Sequence, residues 1–284
     1  VTFSCGDEEA GVKTFTDKVA VVTGAASGIG RALAAHAARL GMQVMLADIS
    51  ATDLAETESA LRTEGARVQS VRTDVSQRAD VEALAQRTLA AFGAVHLLFN
   101  NAGVIAGSTL WESTQQDWEW VMNVNVWSVI HALSVFVPIM LAQDAEGHIV
   151  NTASATALLS NNPVAPYNMS KHAVLGLSET LRYSLAQRTE KLKVSVVCAG
   201  AVRTRIMDSA RNRPAGLQGE TTPASQAWRA ALPRFHPARE TTLQPAQVAE
   251  IVFAGIAAEQ FYIVTHPEIL PWVQRRDEEI VHGI

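Results

Sequence analysis

The run Lys18-Val19-Ala20-Val21-Val22-Thr23-Gly24-Ala25-Ala26-Ser27-Gly28-Ile29-Gly30 decides how the rest of the chain is read. Its first half is short, apolar and rich in valine, the composition of a strand covered on both faces. Gly24, Gly28 and Gly30 then crowd one turn. Glycine is needed there if the chain takes positive φ or must let another group close to its backbone. Beyond the turn, Ala32, Leu33, Ala37 and Leu40 fall at helical spacing.

The same alternation repeats outward from this unit. Strand-like runs occupy 18–23, 43–48, 67–74, 95–100, 148–152, 193–198 and 261–264, with amphipathic stretches between them. Alternation of this kind predicts an α/β fold: a single-domain, Rossmann-type, doubly wound parallel sheet of about seven strands with helices on both faces. Residues 18–284 form that domain, and residues 1–17 form a polar leader expected to be poorly ordered. The segment 205–242 breaks the rhythm with Pro214, Pro223, Pro233, Pro237, Gly216 and Gly219. A loop of that length inside a compact domain is usually functional or mobile. A tail, 265–284, is acidic and contains Trp272.

Composition excludes several classes. A net charge of −5 gives no reason to expect nucleic acid or an anionic membrane as partner. Cys5 and Cys198 are the only cysteines, so no disulfide framework is expected and the chain reads as cytoplasmic. No uninterrupted apolar run approaches the roughly 18 residues that span a bilayer. The leader lacks the basic start and apolar core of a signal peptide. The eight histidines show no metal-ligand spacing, and no metal is expected.

A strand, a glycine turn and a helix in that order suit a dinucleotide. The helix opened by Ser27, Gly28, Ile29 and Gly30 would offer free N–H groups and a partial positive charge to a pyrophosphate, with Gly24 in the turn. Asp48, at the end of the second run, can accept from ribose hydroxyls and would repel a 2′-phosphate. Arg31 is the nearest cation and is expected to face solvent. These features favour NAD over NADP. Asp74 and Val75 are placed to meet the adenine, although Asp74 equally suits an Asx turn before Gln77. In Asn100-Asn101-Ala102-Gly103 small residues let cofactor and backbone pass closely, or simply make a turn.

Tyr167 and Lys171 lie one helical turn apart and share a face. A phenol is a poor base at neutral pH, and lowering its pKa by about 3 units takes roughly 4 kcal/mol. A nearby ammonium and the positive ring of an oxidised nicotinamide would both act in that direction. Ser154, just past the run 148–152, can donate to a substrate oxygen while the tyrosine exchanges its proton. Asn125 could hold, through its amide, a water that links Lys171 to solvent, or could be an ordinary helix asparagine.

On these motifs the chain resembles the short-chain dehydrogenase/reductase family, in the branch with subunits of roughly 250 residues. The resemblance runs from about Thr16 to Val264 and covers Thr23–Gly30, Asn100–Gly103, Asn125, Ser154, Tyr167 and Lys171. It implies proton transfer by Tyr167, carbonyl polarisation by Ser154, and a Lys171 that holds the nicotinamide ribose and lowers the tyrosine pKa. Asn125 would support a relay water. One departure stands out. Where the family usually carries Pro-Gly, this chain has Cys198-Ala199-Gly200-Ala201-Val202-Arg203-Thr204. Gly200, Val202 and Thr204 keep the cofactor side of that loop. The missing proline frees φ and restores an N–H, which is expected to loosen the nicotinamide side.

The resemblance implies that the segment 205–242 is a substrate lid; its Met207, Leu217, Trp228, Leu232 and Phe235 could face Val104, Ala155, Thr156 and Leu158 across an apolar pocket, with Ser154, Thr156, Tyr167 and Met207 touching substrate. They could equally pack the lid onto the domain. Arg211, Arg213, Arg229, Arg234 and Arg239 are read as solvated rather than as carboxylate ligands. The tail resembles that of family members acting on larger aromatic alcohols, including lignin-derived ones. The expected function is NAD-dependent interconversion of a bulky hydrophobic or aromatic secondary alcohol and its ketone. The alternatives are an NADPH-preferring ketoreductase, a 3-hydroxyacyl dehydrogenase, or an NAD-binding redox sensor. The resemblance also implies a homodimer or homotetramer, assembled on the helices near 121–141 and 167–188.

Overall fold

The computed structural model describes residues 14–160, 163–218, 226–227 and 242–283. Strands β1 (Val19–Thr23), β2 (Gln43–Asp48), β3 (Val68–Arg72), β4 (Leu97–Asn100), β5 (Gly147–Thr152), β6 (Leu192–Cys198) and β7 (Tyr262–Val264) make one sheet. Every pairing is parallel, in the order β3-β2-β1-β4-β5-β6-β7. The chain moves outward from β1 in one direction and, after β3, returns to build outward in the other. The β1/β4 junction is therefore the switch point, and ligands bind such sheets beside the carboxyl ends there.

Alternate residues of each strand serve opposite layers. Ala20, Val22, Leu97 and Phe99 face a core shared with helix α1 (Gly28–Arg39) and helix α7 (Pro245–Ala257). Val21, Leu98 and Ile149 face a second core built by α3 (Arg78–Phe92), α5 (Ser128–Gln143) and α6 (Ala165–Ala186). Ala34 and Ala37 keep the inner face of α1 thin, and α7 packs against it through Val248, Val252 and Phe253. Each large apolar side chain buried this way contributes about 1.5–3 kcal/mol. Helix α2 (Ala51–Thr63) flanks β2 and β3, and α8 (Leu270–His282) ends the described chain.

Two expectations change. Helix α4 (Gln115–Met122) runs through a π-helical turn, Asn123–Trp127, directly into α5. The resulting Gln115–Gln143 stretch is, by length and average apolarity, enough to cross a bilayer. Counting uninterrupted apolar runs missed it, because Asn123, Asn125, Ser128, His131 and Ser134 punctuate it. Here its Val129, Ala132, Phe136 and Met140 are packed into the core under the sheet. The described start of the lid is also not irregular. It forms 3-10 turns at Ile206–Asn212 and Ala215–Leu217, and its base is closed by a bridge between Val202 and Leu243. Trp228, Leu232, Phe235, Arg229, Arg234 and Arg239 lie outside the described residues, as do residues 1–13 of the leader.

Candidate active site

The carboxyl ends of β1, β2, β4, β5 and β6 open into one cleft of about 730 Å³. Gly24 (φ +69°) and Gly28 (φ +54°) take left-handed backbone there, which other residues adopt only at a cost. Ser27 makes no side-chain cap to α1, and no acidic residue stands in that helix's first turn. The N-terminal N–H groups are thus left to a ligand. Gly24, Ser27, Gly28, Ile29, Asp48, Asp74, Val75, Asn101, Ala102, Gly103, Gly200, Val202 and Thr204 all line the cleft.

Gly30 does not. It lies behind the turn, where a Cβ would overlap the Gly24 carbonyl and meet the Asn101 amide. Its function is close packing of helix on strand. Asp48 accepts from Ala26 N (3.0 Å) and Ser50 N (3.0 Å), which fixes its carboxylate at the rim beside the glycine turn. Arg31 is exposed and does not line the cleft. Asp74 does form the Asx turn, accepting from Ser76 N (3.0 Å) and Ser76 Oγ (2.7 Å), and still faces the cleft. Thr23 emerges as a residue the motif reading passed over. Its Oγ1 receives Asn101 N (2.9 Å) and Ala102 N (3.1 Å) and ties the ends of β1 and β4 together.

Farther along the cleft, Tyr167 and Lys171 project from α6, and Ser154 caps the 3-10 turn Ala155–Ala157. Ser154 stands near enough to the Tyr167 hydroxyl to favour its ionised form. Ser154 Oγ donates to the Ala199 carbonyl (3.3 Å) and receives Thr156 N (3.3 Å). Lys171 Nζ donates to the Thr152 carbonyl (2.8 Å) and lies 5.7 Å from the centre of the Tyr167 ring. No carboxylate pairs with it among the described residues. Small residues are required nearby, since a Cβ on Gly103 would stand 3.4 Å from both Lys171 Nζ and Asn125 Oδ1.

The electrostatics correct one expectation. Burial raises the Tyr167 pKa above its usual 10, and only the Ser154 hydrogen bond works against it. Burial also brings Lys171 down to about 8. A lowered phenol pKa is therefore not built into the protein alone.

Asn125 is held through its side chain. Its Oδ1 receives Val104 N (2.8 Å), while its Nδ2 donates to the Val104 carbonyl (3.0 Å) and to Ser170 Oγ (2.9 Å). Both Nδ2 protons and one Oδ1 lone pair are thus used, and Asn125 does not line the cleft. It sits in the π-helical turn, a feature that often marks functional sites. From there it locks the segment that follows Gly103 to α6. Ser170, which donates in turn to the Tyr167 carbonyl (2.7 Å), completes that link.

At the far end Val104, Trp120, Val124, Thr156, Met207 and Leu217 line the cleft. Ala155 and Leu158 turn away and pack with Ile269 and Val273 of the tail. Arg211 lines the cleft, with its guanidinium on the Arg205 and Asp208 carbonyls. Arg213 is not a solvated arginine. It is 9 % exposed, pairs with Asp117 Oδ1 (2.7 Å), reaches the Leu217 carbonyl and stacks on Trp120 at 5.0 Å. This clasp pins the lid to α4. Nothing local in the sequence marks Arg213, Asp117 or Trp120 as partners.

A Gly-turn site for a dinucleotide beside a buried Tyr–Ser–Lys cluster defines a nicotinamide-dependent oxidoreductase of the Rossmann class. The family model for short chain dehydrogenase matches residues 18–215, and the chain belongs to the short-chain dehydrogenase/reductase family. It is 34 % identical over 273 residues, covering 95 % of each chain, to a CLA biosynthesis dehydrogenase/reductase of Lactiplantibacillus plantarum. It is 29 % identical over 278 residues to a C alpha-dehydrogenase of a Sphingobium species, covering 96 % of this chain and 88 % of that one. Among solved structures, a short-chain dehydrogenase/reductase from Burkholderia phymatum in complex with NAD superposes with a TM-score of 0.91. It shares 49 % identity, over 95 % of this chain and 96 % of that one.

Proposed function

We propose that the chain is an NAD-dependent oxidoreductase that interconverts a secondary alcohol and its ketone, with Tyr167 as the acid and base. The carrying observation is that Tyr167, Ser154 and Lys171 line one cleft together with the glycine turn, Ser154 and Lys171 buried and Tyr167 half-buried. The cradle fits a nicotinamide dinucleotide. The α1 N-terminus would take the pyrophosphate, Asp48 the adenosine ribose, and Lys171 the nicotinamide ribose through donors not used by Thr152. When bound, that cofactor accepts a hydride in oxidation and gives one in reduction.

The remaining work falls to the chain. Ser154 turns its proton from the Ala199 carbonyl to the substrate oxygen. Tyr167 gives its proton to that oxygen in reduction and takes it in oxidation. Because burial keeps the phenol protonated, reduction finds its acid ready, whereas oxidation needs the phenolate and gains as pH rises. The preference for NAD rests on Asp48 at the rim and on the cations around it. Arg31 points to solvent, and Arg205 is engaged by Asp53 (3.4 Å) and Asp208 (3.3 Å). Trp120, Val104, Leu217 and Met207 support a bulky hydrophobic or aromatic substrate. Trp127, at the entry turn of α5, and Met169 and Tyr183, on α6, are each about half exposed or more and support a homo-oligomer built on those helices.

The test is the ultraviolet absorbance of reduced nicotinamide, followed with NAD or NADP against secondary alcohols graded from small aliphatic to bulky aryl. Turnover with NAD that improves with aryl bulk is the expected outcome. Faster turnover with NADP, or a preference for the smallest alcohols, contradicts the corresponding part of the reading.

A further inference from the structure

The chain returns to the cleft a second time, just after β7. Thr265 and His266 are buried there, 5 % and 1 % exposed. The Gly200 N–H lies 3.2 Å from both Thr265 Oγ1 and His266 Nδ1, and those two atoms are 2.7 Å apart. Because Nδ1 accepts from a backbone N–H it carries no proton. The Thr265 hydroxyl therefore donates to it, and the ring is the neutral Nε2–H form. The ring is pressed so close that a Cβ on Gly200 would stand 2.5 Å from it.

The other side of the same peptide is held as well. The Ala199 carbonyl receives Ala155 N (2.8 Å) and the Ser154 hydroxyl (3.3 Å). The C=O and N–H of a trans peptide point in opposite directions from one rigid plane. His266 and Thr265 on one edge, and Ser154 on the other, thus grip a single planar unit. That unit, with Ala199, Gly200 and Ala201, lines the cleft beside Tyr167 and away from the Asp48 rim. The peptide that follows the position of the missing proline is held on both edges.

We propose that His266 is a positioning residue for the nicotinamide half of the cleft. It fixes the rotation of the Ala199–Gly200 peptide, and through the Ala199 carbonyl it sets the resting direction of the Ser154 hydroxyl. The inference rests on the proposed function, since it assumes that nicotinamide lies against this peptide. It predicts a split effect: His266 matters to the nicotinamide end and not to the adenosine end.

The variants His266→Phe, which keeps a ring without the acceptor, His266→Asn, which offers an oxygen acceptor, and Thr265→Val would be titrated with NADH and with ADP-ribose. Melting temperature and kcat would be measured alongside. His266→Phe should weaken NADH about tenfold and lower kcat, while ADP-ribose binding stays within about twofold. His266→Asn should recover most of the loss, and Thr265→Val, which keeps the imidazole, should fall between them. Wild-type NADH affinity and kcat in both His266→Phe and Thr265→Val would overturn the proposal. So would an equal loss of NADH and ADP-ribose, which marks general damage to the fold. The binding arms do not depend on turnover, so a wild-type chain that binds NADH yet oxidises no alcohol overturns the proposed reaction alone.

Discussion

Two strand ends meet the cleft with a glycine that has no room for a side chain, and they are held in opposite ways. After β1, the obstacle at Gly30 is backbone of its own turn, the Gly24 carbonyl, joined by the Asn101 amide. After β6, the obstacle at Gly200 is the ring of His266, 66 residues farther along the chain. The first arrangement is local and is spelled out by glycine spacing. The second is made by tertiary packing and leaves no pattern near Gly200. Local closure gives the adenosine half of the cleft its rigidity, whereas the nicotinamide and substrate half depends on distant segments.

That contrast can be broken most sharply with alanine. Gly30→Ala should destabilise the protein by more than about 3 kcal/mol and should do so in any background, because backbone cannot move aside. Gly200→Ala should cost about 2 kcal/mol in the wild type and almost nothing more once His266 is also alanine. Thermal or denaturant unfolding of the two single variants and the double variant decides it; additive costs at Gly200 and His266 would refute the assigned contact.

The lid clasp offers the next largest effect. Removing one member of a buried ion pair leaves the other charge unpaired at about 3 kcal/mol, so Arg213→Met should destabilise by roughly that amount. It should also raise KM for bulky alcohols while leaving ADP-ribose binding unchanged. An unaltered KM in a folded variant would show that the Trp120 wall does not depend on the clasp.

On the adenosine side, Asp48→Ala removes a carboxylate facing the ribose. The ratio of kcat/KM for NAD over NADP should fall by about tenfold, roughly 1.4 kcal/mol. An unchanged ratio would remove Asp48 from cofactor choice.

An effect confined to acid pH comes from beneath both halves. His148 in β5 is buried, and Ser195 Oγ, which itself donates to the Gln260 carbonyl (2.6 Å), must receive the proton of His148 Nε2 (2.7 Å). Nδ1 has no partner, and burial takes the pKa from 6.5 down to about 3. The unfolded chain therefore binds this proton first. The stabilisation is complete above pH 6.5 and is lost as pH falls toward 3, at about 1.4 kcal/mol per pH unit at most. His148→Gln should flatten the fall of melting temperature over that window, and an unchanged slope would assign the acid sensitivity elsewhere.

Much of this was legible in the sequence because it is periodic or local. The seven runs, the glycine turn, Asp48 at a strand end and the Tyr167–Lys171 spacing all follow from the geometry of one strand or one helix. Other features were not. Asn125 could be placed on a helix but not in a π-helical turn, which depends on how Gln115–Gln143 packs. Arg213 was indistinguishable from its solvated neighbours until Asp117 and Trp120 stood beside it. Ala155 and Leu158 look like pocket residues until Ile269 covers them. The burial that raises the Tyr167 pKa in the cofactor-free chain is a tertiary effect, whereas the neighbouring lysine is visible in the sequence.

The central claim, that Tyr167 moves the proton in a cleft otherwise complete without its hydroxyl, is tested most directly by Tyr167→Phe. NADH affinity and alcohol turnover would be measured on the same preparation. The account predicts binding within about twofold of wild type and turnover lower by at least about a thousandfold. Turnover within a few fold of wild type, with binding intact, would contradict it.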